Sequence, residues 1–258
     1  MSEVLKLGWL FKDTLYLHGD RGNVLALQKM TNNYGLDLEI TNISHETEGI
    51  NFVDFDVLYC PPGEIINFPS IIDYLRPHLE EITSFLDSGK PMLVIGTSAA
   101  IFAKKTVRCD GTEVEGLGII DVVCHENETV YGDDLYYQAD YNNSHLEITG
   151  IQIQMIDIEI QDGEPFGKMF YGYGNNGKTI DEGVLFKNAI FTNALGPILV
   201  TNPWLSKSII ELVIGNKQIQ IELADPDMTL EEKSFESKKG FIMTKKTNLT
   251  NCPRESSK

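Results

Sequence analysis

Cysteine is scarce in this sequence of 258 residues, and its four cysteines, Cys60, Cys109, Cys124 and Cys252, form no closely spaced pair. This spacing argues against the disulfide framework of small secreted domains and against zinc sites built from CxxC pairs. Long apolar runs are absent too, and the N-terminal segment lacks the apolar core of a signal peptide. We therefore expect a reduced, cytoplasmic protein without membrane insertion.

Basic residues are also few, with 21 Lys+Arg against 38 Asp+Glu, which gives a formal net charge of −17. Nucleic acids and anionic membranes both require a cationic face, so the composition argues against them as partners. The same acidity favours solubility and complements a basic protein partner. At 42% hydrophobic residues, the chain has enough apolar material to bury one sizeable core.

The first half of the chain alternates between strand-like and helix-like segments. The strand-like segments are Leu5–Leu17, Leu36–Ile43, Phe55–Cys60 and Pro91–Ile95, and the helix-like ones are Val24–Gly35 and Ile71–Ser88. Such alternation predicts an α/β fold of three layers, in which a mostly parallel sheet carries helices on both faces.

The second half changes character from Gly116 onward, where strand-like segments are separated by turns. Trp204–Val213 is the last segment with helical spacing. From about Glu222 the sequence is polar and aperiodic. We therefore expect one domain over residues 1–221, with extra strands in its second half, followed by a disordered tail over residues 222–258.

One strand end has the form of a nucleophile elbow. Open α/β sheets carry their functional groups at the carboxyl ends of the strands. Pro91–Ile95 is followed by the small residues Gly96-Thr97-Ser98 and then by a short helix-like stretch. A strand, a sharp turn and a helix are the parts from which such an elbow is built.

This stretch resembles the elbow of class I glutamine amidotransferases, where a Pro-x-Leu-x-Ile-Cys-Gly-Gly-type run carries the catalytic cysteine. Four further segments resemble the GatD/CobQ-like branch of that family (the glutaminase subunits of lipid II isoglutaminyl synthase), in the same order along the chain. They are Leu17–Asn23, Asp110–Gly118, Tyr173–Gly177 with Glu182-Gly183, and Thr192–Leu199 with Asn202-Pro203. The resemblance covers about residues 5 to 215 and implies the flavodoxin-like fold of these amidotransferases.

The departures from the family pattern fall on its active site. Gly96 stands at the cysteine position and Leu195 at the histidine position. Pro61–Glu64 replaces the Gly-Gly-Gly-Gln run beside the oxyanion, and Gly150–Gln154 replaces a Gly-Phe-Glu-Asn-His run. Glycine has no side chain to attack with, leucine accepts no proton, and proline has no N–H to donate. We therefore expect no catalytic residue of the family type.

Fallback nucleophiles are Ser98 and Thr97, with His18 as base and Asp20 as its orienting partner. Both hydroxyl residues are more simply read as the small turn and N-cap residues that helix starts favour. If a ligand binds at this edge, the resemblance implies that it contacts Gly63, Glu64, Thr97, Ser98, Asn175 and Asn176.

Other chemistry-bearing residues have simpler interpretations. Cys60 ends a strand and reads as a buried apolar residue. His125 lies beside Cys124, but neighbours in a strand point to opposite faces and rarely share a metal ion. The glycine-rich segment around Asn175 lacks the Lys-Ser/Thr ending of a phosphate loop. We expect neither a metal nor another cofactor.

The resemblance also implies a partner, because GatD-like subunits deliver ammonia to a Mur-ligase-like synthase, MurT, that amidates the cell-wall precursor lipid II. The first hypothesis is a non-catalytic subunit of such a heterodimer, a pseudoenzyme in peptidoglycan biosynthesis. The second is an active glutamine hydrolase with a Ser/Thr nucleophile. The third is a module that binds glutamine or a related metabolite without cleaving it.

Overall fold

The computed structural model describes residues 3–221 and 226–250, with the backbone alone described for residues 247–250. Its strands are β1 (Val4–Leu10), β2 (Asp37–Ile43), β3 (Val57–Cys60), β4 (Met92–Ile95), β5 (Lys105–Val107), β6 (Glu113–Glu115), β7 (Val122–Tyr141), β8 (Ser144–Ile160), β9 (Gly167–Tyr171), β10 (Asp181–Glu182), β11 (Val184–Phe186) and β12 (Ala189–Thr192). Its α-helices are α1 (Arg21–Asn33), α2 (Phe68–Leu75), α3 (Leu79–Asp87), α4 (Ala99–Phe102), α5 (Ile198–Thr201), α6 (Pro203–Asn216) and α7 (Thr229–Thr250).

The central sheet has the strand order β11-β12-β4-β3-β1-β2. All its pairs are parallel except that of β11 with β12. Every residue of β3 and β4 is buried, as expected for parallel strands covered on both faces. One apolar core packs α2, α3 and α4 against the sheet, and a second packs α1 and α6 against the other face. The predicted α/β fold with helices on both faces is confirmed.

A second sheet supplies the extra strands of the second half. Its main part is the long antiparallel hairpin of β7 and β8, which turns at Asn142-Asn143 with both residues at positive φ. Strands β5, β6, β9 and β10 complete this sheet. An antiparallel bridge between Ile151 and Leu195 joins β8 to the loop that follows β12. The hairpin therefore reaches the carboxyl edge of the central sheet.

Two predicted boundaries differ from the structure. The helix expected over Ile71–Ser88 is split into α2 and α3 by a 3-10 turn at Arg76–His78. Pro77 explains the break, because proline has no N–H for the helical hydrogen bond and clashes with the preceding turn. The first strand ends at Leu10 rather than Leu17, since Phe11 takes a positive φ of 49°.

The tail that we expected to be disordered from Glu222 instead contains α7. Phe235 and Ile242 of this helix are buried against Tyr136 and Tyr171. The two residues lie seven positions apart, so they share one face over two helical turns, although nothing between them repeats that spacing. Residues 222–225 and 251–258 of the expected tail lie outside the described residues. None of the described helices combines the length and apolar character needed to cross a membrane.

Candidate functional site

The elbow forms as the sequence predicts. Strand β4 ends at Ile95, and Gly96 follows with a φ of +58°, which opens a 3-10 turn that runs directly into α4. A positive φ at this position is typical of the strained strand-to-helix turn that presents a nucleophile. Gly96 adopts it without the steric cost that a side chain would bring. The backbone of a nucleophile elbow is thus present without a nucleophile.

The side chain of Leu195 fills the space above Gly96. A Cβ atom placed on Gly96 would lie 2.7 Å from Leu195 Cδ2 and 3.4 Å from Pro62 Cβ. Leu195 is only 5% exposed, so this apolar packing is closed to solvent. The residue at the family's histidine position therefore occupies the volume that the family's cysteine would need.

The oxyanion side of the site offers few free donors. Pro61 and Pro62 have no backbone N–H. The N–H of Gly63 donates to Thr97 Oγ1 at 3.3 Å, and that hydroxyl donates to the Gly63 carbonyl at 2.6 Å. Gly63 also packs directly on Leu15, whose Cδ2 would lie 2.2 Å from a Cβ at this position. Glu64, the next residue, is exposed at the rim.

The hydroxyls of Thr97 and Ser98 are held by the backbone that follows β3. Ser98 Oγ donates to the Pro61 carbonyl at 2.6 Å, and the Ser98 residue is completely buried. His18 lies in a 3-10 turn of the loop between β1 and α1, and burial lowers its pKa. Within the described residues, no hydrogen bond joins His18 to Ser98, Thr97 or Asp20. The geometry gives no support to the Ser98/His18/Asp20 constellation.

Asp20 has a different set of partners. Its Oδ1 accepts a hydrogen bond from Asn23 Nδ2 at 2.9 Å, and the Tyr59 hydroxyl donates to its backbone carbonyl at 2.9 Å. Its Oδ2 is buried without a partner among the described residues. Burial is the main cause that raises the pKa of Asp20 to about 8. Asn23 Oδ1 accepts the Leu199 N–H at 2.9 Å, so this cluster connects the loop after β1 to the start of α5.

A second buried polar network fixes the loop that carries Leu195. The Glu182 carboxylate accepts hydrogen bonds from Thr192 Oγ1 at 2.5 Å and from Asn193 Nδ2 at 2.8 Å. Asn193 also donates to Asn175 Oδ1 at 2.9 Å. Burial raises the pKa of Glu182, against the lowering effect of Thr192 and Asn193. The acidic group therefore positions the loop from inside the protein.

Asn175 and Asn176, two of the predicted binding residues, hold the glycine-rich turn together. Asn175 is buried and pairs with both backbone polar groups of Gly183, and Asn176 Oδ1 accepts the N–H groups of Lys178 and Thr179. Gln152 fixes the same turn from β8, since its Oε1 accepts the N–H of Gly174 at 3.1 Å. The sequence did not indicate Gln152 as a support, because alternation along a strand would place its two isoleucine neighbours inward and Gln152 outward, whereas the structure buries Gln152 and exposes Ile151 and Ile153.

Cys60 and His125 have structural surroundings. Cys60 is fully buried, and burial raises the pKa of its thiol to about 12. A thiol with so high a pKa is a poor nucleophile. His125 Nε2 lies 3.0 Å from Glu159 Oε2 on the paired strand. No group of three or more potential metal-ligating side chains occurs within residues 3–221 and 226–250 where side chains are described.

Comparison with known proteins identifies two similar curated proteins. The chain is 27% identical over 221 residues to the GatD subunit of lipid II isoglutaminyl synthase (glutamine-hydrolyzing) from Staphylococcus aureus (strain N315), covering 83% of this chain and 86% of that protein. It is 24% identical over 216 residues to the GatD subunit of the same name from Streptococcus pneumoniae (strain ATCC BAA-255 / R6), covering 83% and 82% of the two chains. No family model matches the chain.

A solved structure has a similar fold. The glutaminase domain of Trypanosoma brucei CTPS with bound acivicin superposes with a TM-score of 0.51 at 11% sequence identity, covering 86% of this chain and 96% of that one. The sheet order, the elbow at Gly96 and the ordered GatD-like segments agree with this similarity. The chain is therefore similar, over more than four fifths of its length, to the GatD-like class I glutamine amidotransferases.

Proposed function

We propose that this chain is a catalytically degenerate GatD-like subunit, which acts without glutaminase activity as the partner of a Mur-ligase-like (MurT-like) synthase. The observation that carries the proposal is the position of Leu195, whose side chain fills the space above Gly96. Hydrolysis of glutamine by the family route needs a thiolate, a base and oxyanion donors. Leucine and glycine supply neither of the first two, and Pro61 and Pro62 remove donors from the third.

The partner half of the proposal is supported by the relatives. Both curated proteins are named as subunits of lipid II isoglutaminyl synthase, and the chain covers more than four fifths of each. Their substrate suggests a role for this chain in modification of a cell-wall precursor in the cytoplasm, as one subunit of a heterodimer. In such a pair the chain stabilises or positions the synthase, which takes its ammonia from solution.

The test is ammonia release from glutamine by the purified chain, alone and with a co-expressed Mur-ligase-like protein. The double variant Thr97→Ala/Ser98→Ala is the matched control, because it removes both hydroxyls at the elbow. We expect no release above this control in either condition. Release that the control loses would contradict the proposal and show that a hydroxyl has replaced the cysteine.

A binding measurement tests the other hypothesis, that the chain binds glutamine without cleaving it. Isothermal titration of the chain alone with glutamine should give no heat of binding, because the space above Gly96 is filled. Saturable binding without hydrolysis would instead identify the chain as a glutamine-binding module. Synthase activity measured with ammonium chloride, with and without the chain, then shows whether the subunit supports its partner.

A further inference from the structure

The face of α7 that packs on the rest of the protein contains two lysines as well as two apolar residues. Phe235 and Ile242 are buried, and Lys238 and Lys245 are half-buried. Successive members of this set are three, four and three residues apart, which places all of them on one side of the helix. We call these four residues the docking face. Its composition means that α7 is held by polar bonds as well as by apolar burial.

A line of three paired residues leads from β7 to the filled space above Gly96. Asp134 on β7 is paired with Ile151 on β8, and Ile151 forms an antiparallel bridge with Leu195. The Leu195 N–H donates to the Ile151 carbonyl at 2.7 Å. The side chain of Leu195 then fills the space above Gly96. We call Asp134, Ile151 and Leu195 the closing rung.

Lys245 binds the first residue of the closing rung. Its Nζ lies 2.7 Å from Asp134 Oδ2 and 2.6 Å from Oδ1 of the neighbouring Asp133. The Tyr171 hydroxyl on β9 donates to the other oxygen of Asp133 at 2.6 Å. The hydrogen bonds to the two carboxylates raise the pKa of Lys245. Lys245 therefore ties α7 to β7 at the start of the rung.

Lys238 binds β8 one residue before the rung crosses that strand. Its Nζ donates to the Gly150 carbonyl at 3.1 Å, and burial lowers the pKa of this ammonium group. Gly150 lies directly against the loop after β12, because a Cβ atom on Gly150 would be 2.8 Å from Ala194 Cβ. Together the two lysines hold both strands of the hairpin at the place where it fixes the loop.

The part of the loop before Leu195 is held from inside the protein by other bonds. The Asn193 N–H donates to Glu182 Oε1 at 2.9 Å, and the Thr192 hydroxyl donates to the same oxygen at 2.5 Å. These bonds do not involve α7. Release of α7 should therefore free Leu195 while Asn193 stays in place.

We infer that α7 is a strap that keeps the space above Gly96 closed. Docked through its four-residue face, α7 holds the closing rung, and its release allows Leu195 to move away from Gly96. Salt screens ion pairs but not apolar contacts, so added salt should weaken the strap. The inference concerns the state of the site and does not depend on the partner in the proposed function.

The experiment is amide hydrogen exchange of the full chain, followed residue by residue by NMR in 0.05 M potassium chloride. In the double variant Lys238→Met/Lys245→Met, exchange of the Leu195 N–H should rise at least about tenfold, while that of the Asn193 N–H stays within about twofold of the wild type. Methionine keeps the unbranched apolar stem of lysine without the ammonium group. Lys233→Met is the matched control, because Lys233 is exposed on the same helix, and it should leave both amides unchanged.

Three results of this experiment overturn the inference. If the amides of α7 exchange faster and the Leu195 N–H does not, α7 does not hold the closing rung. Equal acceleration at Leu195 and Asn193 would show a loss of stability that spreads through the whole loop. Unchanged exchange over residues 229–250 would show that the two lysines do not hold the helix.

Salt gives a second readout that needs no variant to fold. In the wild type, raising potassium chloride from 0.05 to 0.5 M should accelerate exchange of the Leu195 N–H about threefold or more relative to the Asn193 N–H. In the double variant this ratio should change less than about twofold. A flat response in the wild type, or an equal response in both proteins, contradicts the strap. Ammonia release tests the proposed function separately, so failure of the strap leaves that proposal standing.

Discussion

The side chains of residues 96 and 195 compete for one volume, so the two departures from the family pattern are coupled. Leu195 packs against the glycine backbone at a distance that excludes a Cβ atom. A cysteine at position 96 would therefore require a different side chain or a different position of residue 195. Apolar contact between the two positions replaces the hydrogen bond that a cysteine–histidine pair would form there.

This coupling predicts a measurable interaction energy. Gly96→Ala should lower the free energy of unfolding by about 2–4 kcal/mol, from left-handed backbone strain and from overpacking against Leu195. Leu195→Ala removes the crowding, so the double variant should be more stable than the sum of the single effects by about 1–2 kcal/mol. Urea unfolding of the four proteins measures this difference.

Gly118→Ala is the control for this cycle, because Gly118 has a similar φ of +69° but no atom within 4 Å of the position that a Cβ would take. This substitution should lower the free energy of unfolding by about 1 kcal/mol, which is the backbone strain alone. It should also show no interaction with Leu195→Ala. Strict additivity at position 96 would mean that Leu195 moves aside freely and that the site is not filled.

Asp20 predicts a dependence of stability on pH. Its pKa is about 8 in the folded chain against 3.8 in the unfolded one, so the folded state binds more protons between these values. The free energy of unfolding should therefore fall as pH rises from about 4 to about 8, with a slope from this group of at most about 1.4 kcal/mol per pH unit.

Asp20→Asn should remove that slope, because the amide does not ionise. Urea unfolding between pH 5 and pH 8 measures the difference. Glu182→Gln is a useful comparison, since burial also raises the pKa of Glu182 and each variant should flatten its own part of the profile. Parallel profiles for Asp20→Asn and the wild type would show that Asp20 is already ionised in the folded chain.

The elbow and the altered positions 96 and 195 could be located from the sequence. Glycine and leucine have no reactive side-chain group and proline has no backbone N–H, whatever the surrounding structure. The contact of Leu195 with Gly96 could not be predicted from the sequence, since it joins positions 99 residues apart and depends on tertiary packing. The hydrogen-bond acceptors of the Thr97 and Ser98 hydroxyls could not be predicted from the sequence either. Both are backbone carbonyls that follow the neighbouring strand, and backbone groups leave no trace in residue types.

At the scale of elements, α7 shows how few apolar residues are needed to dock a helix. Phe235 packs edge-on against Trp204 with ring centroids 4.9 Å apart. Lys245 lies 2.6 Å from Asp133 and 2.7 Å from Asp134, and these hydrogen bonds raise the pKa of Lys245. The helix is therefore held by an aromatic contact near one end and by ion pairs toward the other.

Phe235→Ala should loosen α7, with a loss of about 3 kcal/mol in the free energy of its local opening. Phe241→Ala is the matched control on the same helix, because Phe241 is 58% exposed, and it should change that energy by less than about 0.5 kcal/mol. Amide exchange over residues 229–250 measures both. Equal exchange in the two variants would mean that burial of Phe235 does not hold the helix.

The strands and helices of the central sheet were the predictable elements, because their apolar runs and amphipathic spacing repeat over enough residues. The full length of β7 was not predictable, since its 20 residues include the polar stretch around Glu128, where the register with β8 shifts. Helix α7 was not predicted because, among its residues with described side chains, only Phe235 and Ile242 are buried. Their partners, Tyr136 and Tyr171, lie on strands about 60 to 100 residues earlier in the chain.

For the whole molecule, the dominant property is negative charge. Surface charges act on an approaching partner over about one Debye length, which is about 10 Å at 0.1 M salt and about 3 Å at 1 M. A net charge of −17 therefore raises the rate of encounter with a basic partner at low salt, while short-range contacts determine how long the complex lasts. Steering and contact are separable, because they act on different rate constants.

The association rate with the Mur-ligase-like protein should fall at least tenfold between 0.05 and 0.5 M salt, while the dissociation rate changes much less. Glu64→Lys and Glu39→Lys each change the net charge from −17 to −15, so steering alone predicts a similar small loss of association rate in both. Neither variant should dissociate much faster, because steering by net charge acts on association. Stopped-flow association and dissociation rates measure both effects. A salt-independent association rate would mean that the acidic surface serves solubility and not recognition.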